Sequence, residues 1–368
     1  HTYVSDDEKE TGDGTIYVKD GRGPEEVNPT AEPSDSINDS TENKDTSTEI
    51  EPGNTITVNE DVKDVTIVVD GVNADTSGTG ESTITIGEGA DVDLTVKDST
   101  LTTGGNGIDV GANLEGEDEH KDTKLDLTLD DTTINLTENA TAGINARDHS
   151  DVDIALKGDN IIDGSGAIDT VTKGGEQDIS KENVNIEGIR VGGEGASDSS
   201  DASAGAETKL TISGGVTDSK TEEGGSLTIR DTTGGLVMAE GSDVEITDGA
   251  DVTIENTKTS GSTQAGRGVT QHGDLTISGG STLTVDGVED NASAPNHTGI
   301  GIASWDDIHV TEDSTLNVKD VTTGIYGHQG SDASLTVKDS TLNITGSGFG
   351  IDYEGAGKDK EGNELKSA

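Results

Sequence analysis

Asp93-Leu-Thr-Val-Lys-Asp98-Ser-Thr-Leu101 returns almost unchanged as Ser334-Leu-Thr-Val-Lys-Asp339-Ser-Thr-Leu342. In both stretches apolar and polar residues alternate, an Asp-Ser pair turns the chain, and a second apolar position follows. Such alternation marks a short strand with one buried and one solvated face. Variants of the first strand stand at Leu127-Thr-Leu129, Leu210-Thr-Ile212, Leu227-Thr-Ile229, Val244-Glu-Ile246, Leu275-Thr-Ile277 and Ile308-His-Val310. A second pair often follows the turn, as in Leu283-Thr-Val285 and Leu316-Asn-Val318.

A third element opens with Gly and an apolar residue: Gly107-Ile108, Gly143-Ile144, Gly188-Ile189, Gly235-Leu236, Gly268-Val269, Gly299-Ile300, Gly324-Ile325 and Gly348-Phe349. The last three apolar positions are spaced 325 − 300 = 25 and 349 − 325 = 24 residues apart. Earlier spacings are longer because polar insertions such as Ala112–Thr123 and Glu194–Thr208 intervene. A fixed unit with loops of variable length predicts a repeat architecture. Three short strands per turn, around one thin apolar column, predict an all-β chain wound as a right-handed parallel β-helix of about ten coils, each hydrogen-bonded to the next at about 4.8 Å. The glycine supplies either a positive-φ corner or a close approach. Tandem β-sandwiches would instead need hairpins in units of about 100 residues.

Composition agrees with a thin core. Only 27% of the 368 residues are hydrophobic and 2% aromatic. The apolar residues are not scattered, as disorder would have them, but gathered into period-two runs. The formal net charge of -52 repels nucleic acid and anionic lipid and favours cations, basic protein patches or high salt. The charge also keeps long β-structure from associating edge to edge. The absence of cysteine excludes disulfides and thiolate metal sites. No stretch approaches the ~20 apolar residues of a membrane span. Residues 1–53 hold four of the five prolines, and Glu32–Lys44 contains one large apolar residue, Ile37. The segment reads as a polar linker or cap, with Ile16-Tyr-Val18 as a strand covering the solenoid's end. The β-helix then runs over 54–354, with a polar linker at 355–368.

Leu275-Thr-Ile-Ser-Gly-Gly-Ser-Thr-Leu-Thr-Val285 and Gly299-Ile-Gly-Ile302 resemble repeats of bacterial surface β-helix proteins. These include carbohydrate-binding β-helix domains of Firmicutes and autotransporter-like adhesin passengers. The resemblance covers roughly residues 54–354. It implies an extracellular location at the bacterial cell surface, membership in a longer surface protein, and recognition of acidic polysaccharide assisted by calcium (Ca2+). The same repeats serve glycan binders, stalks and enzymes.

Pectinolytic chemistry would need convergent carboxylates, or an Arg base beside calcium carboxylates. The nearest features are Gly327-His328-Gln329 and the pairs Asp130-Asp131 and Asp306-Asp307. No Gly-His-Gly or Arg-Ile-Lys signature is present. Arg147 and Arg190 follow the glycine motif and either face a groove or serve as charge partners on an acidic rod. Asp98, Asp130, Asp131, Asp231, Asp248, Asp313 and Asp339 recur in turns, where Asp either ligates calcium or hydrogen-bonds its own backbone.

Aromatic placement supplies the candidate ligand site. Trp305, Tyr326, Phe349 and Tyr353 all fall in the last three coils. Phe349 aligns with Ile300 and Ile325 and reads as core. Tyr326 aligns with Gly301 and Gly350, which would leave its ring a clear shelf. His272 and His328 sit at equal offsets after Gly268 and Gly324, on one outward column two coils apart. Trp305, Asp306, Asp307, Tyr326, His328 and Tyr353 therefore form either a sugar platform or an end plug. The functional expectation is a non-enzymatic adhesin or glycan-binding module for polysaccharide, host or mucin glycans, or a host surface protein. The alternatives are a structural spacer or filament subunit, and a polysaccharide lyase or hydrolase.

Overall fold

The computed structural model describes residues 2–4, 15–20, 45–50, 55–116, 120–173, 176–177, 185–193, 208–215, 224–259, 266–290, 299–328, 331 and 333–353. Their strands form three long parallel sheets, visited in turn by each coil of a parallel β-helix. The first sheet contains the Leu-Thr-Val strands, such as Asp91–Lys97. The second contains the strands after the Asp turn, such as Thr100–Thr103. The third, here called the glycine sheet, contains the Gly-apolar strands, such as Asn106–Ala112. Among the described residues these sheets hold eleven, nine and eleven strands respectively.

Alternation becomes packing through register. In the first sheet Leu94, Leu127, Ile154, Ile212, Ile246, Ile277, Val310 and Val337 stand one above another. The second sheet stacks Leu101, Ile134, Ile162, Ile229, Ile254, Val285, Val318 and Ile344. The glycine sheet stacks Ile56, Ile84, Ile108, Ile144, Ile189, Leu236, Val269, Ile302, Ile325 and Ile351. Apart from Val337 and Ile351, which are exposed in the last described coil, these stacks meet in one apolar core.

The motif glycines allow a close approach. A methyl group at Gly188 would lie 2.2 Å from Ile229 Cγ2 and 2.5 Å from the Gly235 carbonyl oxygen. The chain bends there, so the glycine and the residue after it both face inward while the flanking residues face out. The turn aspartates use backbone conformation instead. Asp98, Asp131, Asp231, Asp248, Asp313 and Asp339 have φ between +48° and +60°, the left-handed region that Asp tolerates better than most residues. Their recurrence is thus explained by corner geometry. The hydroxyl that follows often ties coils together: Ser281 N–H donates to Ser314 Oγ at 3.2 Å, and Ser314 N–H to Ser340 Oγ at 3.2 Å.

Three stretches of the polar N-terminal segment join the sheets. Thr2–Val4 pairs with Ile56–Val58. Thr15–Asp20 pairs with Val65–Asp70, placing Ile16 beside Ile67, and Asp45–Ile50 adds to its outer edge. The linker reading of Glu32–Lys44 and of 355–368 lies outside the described residues. Ser165–Val171 is the one α-helix among the described residues. No helix is long and apolar enough to cross a membrane.

Two expectations at the C-terminal end are corrected. Phe349 is 61% exposed. It aligns with Ile300 and Thr323, not with Ile325. Tyr326 aligns with Ala303 and Asp352, not with glycines. Gly299-Ile-Gly-Ile302 and Gly348-Phe-Gly-Ile351 each offer two glycine frames, and the coil uses the second. The bend at the glycine then turns Phe349 outward.

The solvated face of the first sheet shows where the few basic residues matter. Asp91, Lys124, Asp151, Lys209, Asp243 and Asp274 form one column. Beside it Asp93, Asp126 and Asp153 stack in a column that holds no lysine of its own, although Lys124 of the neighbouring column reaches Asp126 at 2.8 Å. Burial, then Asp126, raise the Asp93 carboxyl above its ordinary value. Carboxylates stacked at about 4.8 Å repel. Raising ionic strength from about 0.01 M to about 1 M shortens the screening length from about 30 Å to 3 Å. It is therefore expected to raise the unfolding temperature in a NaCl series; a fall would mean that ion pairs outweigh repulsion.

Candidate functional site

The pattern x-Gly-apolar-x sets the outer face of the glycine sheet. Its two x positions form two outward columns. The first runs Asn106, Ala142, Glu187, Gly234, Arg267, Ile300, Thr323, Phe349. The second runs Asp109, Asn145, Arg190, Val237, Thr270, Ala303, Tyr326, Asp352. The early coils are polar and charged, the later ones largely apolar.

A third column lies in the turn that leaves this sheet. It contains Arg147, His272, Trp305 and His328, whose backbone amides bond to neighbouring coils. The two histidines do share a column, as expected, and Trp305 occupies the coil between them. The Trp305 ring stacks on His272 at 4.1 Å and on His328 at 4.9 Å between centroids. The imidazoles come from the coils on either side, so both indole faces are covered. The Arg267 guanidinium lies 5.4 Å from the indole centroid, within cation–π range. Tyr326 meets His328 edge-on at 6.2 Å and is buried against Ile300 and Ala303. Burial, then Arg267 and His328, push the His272 imidazole down to about 4.

The other expected site residues lie nearby. Asp306 and Asp307 sit in the turn after Trp305, and carboxylate oxygens of Asp274, Asp306 and Asp307 come within 4.8 Å of one another. Burial raises the Asp306 carboxyl, opposed by the Asp307 N–H and reinforced by Asp274 and Asp307. These three residues are where a cation would be held among the described residues. Asp307 Oδ1 accepts from Ser334 Oγ at 2.6 Å. Tyr353 ends the strand Phe349–Tyr353, and its side chain lies outside the described ones. The structure thus gathers Trp305, Tyr326 and His328 into a packed ladder.

A cleft lies on the early coils of the same face. Asp109 accepts from Asn145 Nδ2 at 2.9 Å and from Arg147 in bidentate fashion, Nε to Oδ1 and Nη2 to Oδ2, both at 2.9 Å. Bidentate guanidinium pairs fix orientation as well as charge. Two coils on, Arg190 Nη1 stands 3.5 Å from Glu187 Oε2. Glu187 is 6% exposed; its burial, partly offset by Arg190, pushes the carboxyl up to about 7. A cavity of about 190 Å³ is lined by Asn106, Thr141, Asn145, Arg147, Glu187 and Arg190, among others. A second, of about 320 Å³, shares Arg147 and is lined also by Thr57, Thr85, Asp109, Asn113 and Leu114. Together they run across five successive coils, about 19 Å of axis at about 4.8 Å per coil.

Sequence reading named Arg147 and Arg190 but missed Asp109, Asn145 and Glu187. The signal was available: these are the x residues of Asn106-Gly-Ile-Asp109, Ala142-Gly-Ile-Asn145 and Glu187-Gly-Ile-Arg190. Asp109 and Glu187 stand two coils and one column apart. Coil and residue spacings put their backbones roughly 14 Å apart. The cleft can orient and hydrogen-bond a polar ligand.

Compared with known proteins, the chain matches no family model, no curated sequence and no solved structure.

Proposed function

We propose that the protein is a non-enzymatic glycan-binding β-helix of a bacterial cell surface, an extracellular adhesin that holds a polysaccharide or glycoprotein glycan along its axis. The site is the cleft of the early coils, with Asn106, Asp109, Asn145, Arg147, Glu187 and Arg190 as its polar lining. One observation carries this reading. The cavities of about 190 and 320 Å³ meet at Arg147, whose guanidinium is held in place by a bidentate pair with Asp109. Fixed guanidinium–carboxylate pairs beside them are preorganised for a polyhydroxylated ligand.

This reading moves the site away from the aromatic residues of the last coils. Sugars stack on an open ring face, and both faces of Trp305 are covered. Calcium, if it assists, would be held by Asp274, Asp306 and Asp307 and would act on the later coils. The test is retention of the full chain on immobilised neutral polysaccharides, acidic polysaccharides and mucin, once in calcium and once in EDTA. Retention on one glycan class without release of reducing ends or unsaturated product is expected, and EDTA is expected to leave it intact. Product release would make the protein an enzyme; no retention on any glycan would favour a spacer.

A further inference from the structure

We infer that the Arg267 guanidinium anchors a second binding site, on the later coils, for a singly charged carboxylate carried on an apolar body. In its outward column Arg267 lies two coils beyond Glu187, with Gly234 between. It lines neither cavity of the cleft, so the site is independent of the glycan-binding reading.

The chain has 75 acidic side chains against 23 lysines and arginines, so a cation on it rarely lacks a carboxylate for want of supply. Among the described residues the other arginines are paired: Arg147 with Asp109 at 2.9 Å, Arg190 with Glu187 at 3.5 Å and Arg230 with Asp163 at 2.7 Å. The Arg267 side chain makes no ion pair and no hydrogen bond with any described residue; its one ring contact among them is Trp305, at 5.4 Å. Register explains the exclusion. Gly234 precedes and Ile300 follows Arg267 in its column, and Val237, Thr270 and Ala303 fill the column beside it. None of these carries a charge. Burial disfavours the charged guanidinium, and only Tyr326 acts the other way. After burial, Arg267 is the largest cause holding the His272 imidazole down. The space beside Trp305 is thus locally positive on a rod of net charge -52.

The guanidinium is partly buried but not sealed. The enclosed polar atoms that lack a bond, such as His272 Nε2 and Thr323 Oγ1, include no nitrogen of Arg267. A guanidinium presents its donors as a planar fork that a carboxylate meets in bidentate fashion. The field of the rod opposes each further negative charge, which disfavours sulfate and phosphate dianions. The walls are apolar. Val237 Cγ2 would lie 2.8 Å from a methyl group at Gly234, so it fills the place beneath Arg267, and Trp305 stands on the other side. Both are partly exposed and suit an apolar body better than a polyhydroxylated one.

Trp305 is the chain's only tryptophan, so its emission reads the site directly. The full chain is titrated with phenylpropionate, its uncharged amide, glucuronate and inorganic sulfate, with calorimetry in parallel, at about 0.15 M NaCl, where charges more than about 8 Å apart are screened. Expected is a saturable change in emission with phenylpropionate, and binding at least about tenfold weaker for the other three. Arg267→Gln should weaken phenylpropionate at least about tenfold, and Arg267→Lys, which keeps the charge and loses the fork, should recover part of the loss. Neither variant breaks a bond to a described residue, so circular dichroism should show both folded; the comparison of acid with amide on the wild type needs no variant. Undiminished binding in folded Arg267→Gln, or an amide that binds as tightly as the acid, overturns the site. Preference for glucuronate or sulfate overturns the apolar carboxylate as its ligand. No change in emission and no heat with any of the four overturns the proposal and leaves Arg267 a cation–π partner of Trp305.

Discussion

Gly235→Ala is expected to lower the stability of the folded chain by about 3 kcal/mol, the upper part of the range for an overpacked core. The added carbon would lie 2.3 Å from Ile254 Cγ2 and 2.8 Å from the carbonyl oxygen of Gly268. Ile254 is wholly buried between Ile229 and Val285 in its stack, and the carbonyl belongs to the next coil's backbone. Neither can yield without separating coils. Gly350→Ala is the control: it occupies the same motif position in the last described coil, and a carbon there would meet nothing within 4 Å. Urea unfolding of the two variants should show a large loss for the first and almost none for the second. Equal effects would mean that the glycines are required for backbone conformation rather than for space. Because solenoid stability is carried between neighbouring coils, the damaged variant should also unfold less cooperatively.

Glu187→Gln is expected to stabilise the protein at pH 8 and to change it little at pH 4. The folded carboxyl is held up at about 7, against an ordinary value of 4.5. Between those values the native state binds more protons than the unfolded chain, so its stability falls as pH rises. The contribution is fully present below about 4.5 and lost above about 7, a difference of about 3 kcal/mol. General repulsion among the chain's 75 acidic residues slopes the same way. The informative quantity is therefore the difference between variant and wild type across denaturant melts from pH 4 to pH 8. A rise of that size supports a buried Glu187 that Arg190 only partly compensates; a constant difference would mean that the carboxyl is solvated.

The fold was legible because its two rules are local. Alternation at Leu94-Thr-Val96 and Leu127-Thr-Leu129 gives strand and inward face, and Asp98-Ser99 gives the corner. Register was legible wherever a coil holds a single Gly-apolar pair. It failed at Gly299-Ile-Gly-Ile302 and Gly348-Phe-Gly-Ile351, where two frames satisfy the same pattern and only the next coil's packing selects between them. That choice misplaced Phe349 and Tyr326.

The candidate site was less legible for a different reason. Its residues gain meaning only across coils: Asp109 and Asn145 are 36 residues apart, Asp109 and Arg147 38. The insertion at 112–123 lies between them and hides their alignment. In a chain this acidic, Asp109 and Glu187 do not stand out by type. They stand out by burial, which no single strand reveals. The scarce aromatics drew attention instead, and Trp305 proves to be one rung of an imidazole–indole ladder.

The most direct test of the cleft compares glycan affinity of Asn145→Ala and Trp305→Ala with wild type, on whichever polysaccharide retains the full chain. Asn145→Ala removes a side chain of the cleft lining and its bond to Asp109, but leaves Asp109 in its bidentate pair with Arg147, so folding should survive. Trp305→Ala removes a stacked ring and should cost about 2–3 kcal/mol of stability without reaching the cleft. The account predicts at least about tenfold weaker binding for Asn145→Ala and wild-type affinity for Trp305→Ala. Full affinity in Asn145→Ala together with lost binding in Trp305→Ala would contradict it and place the ligand on the later coils.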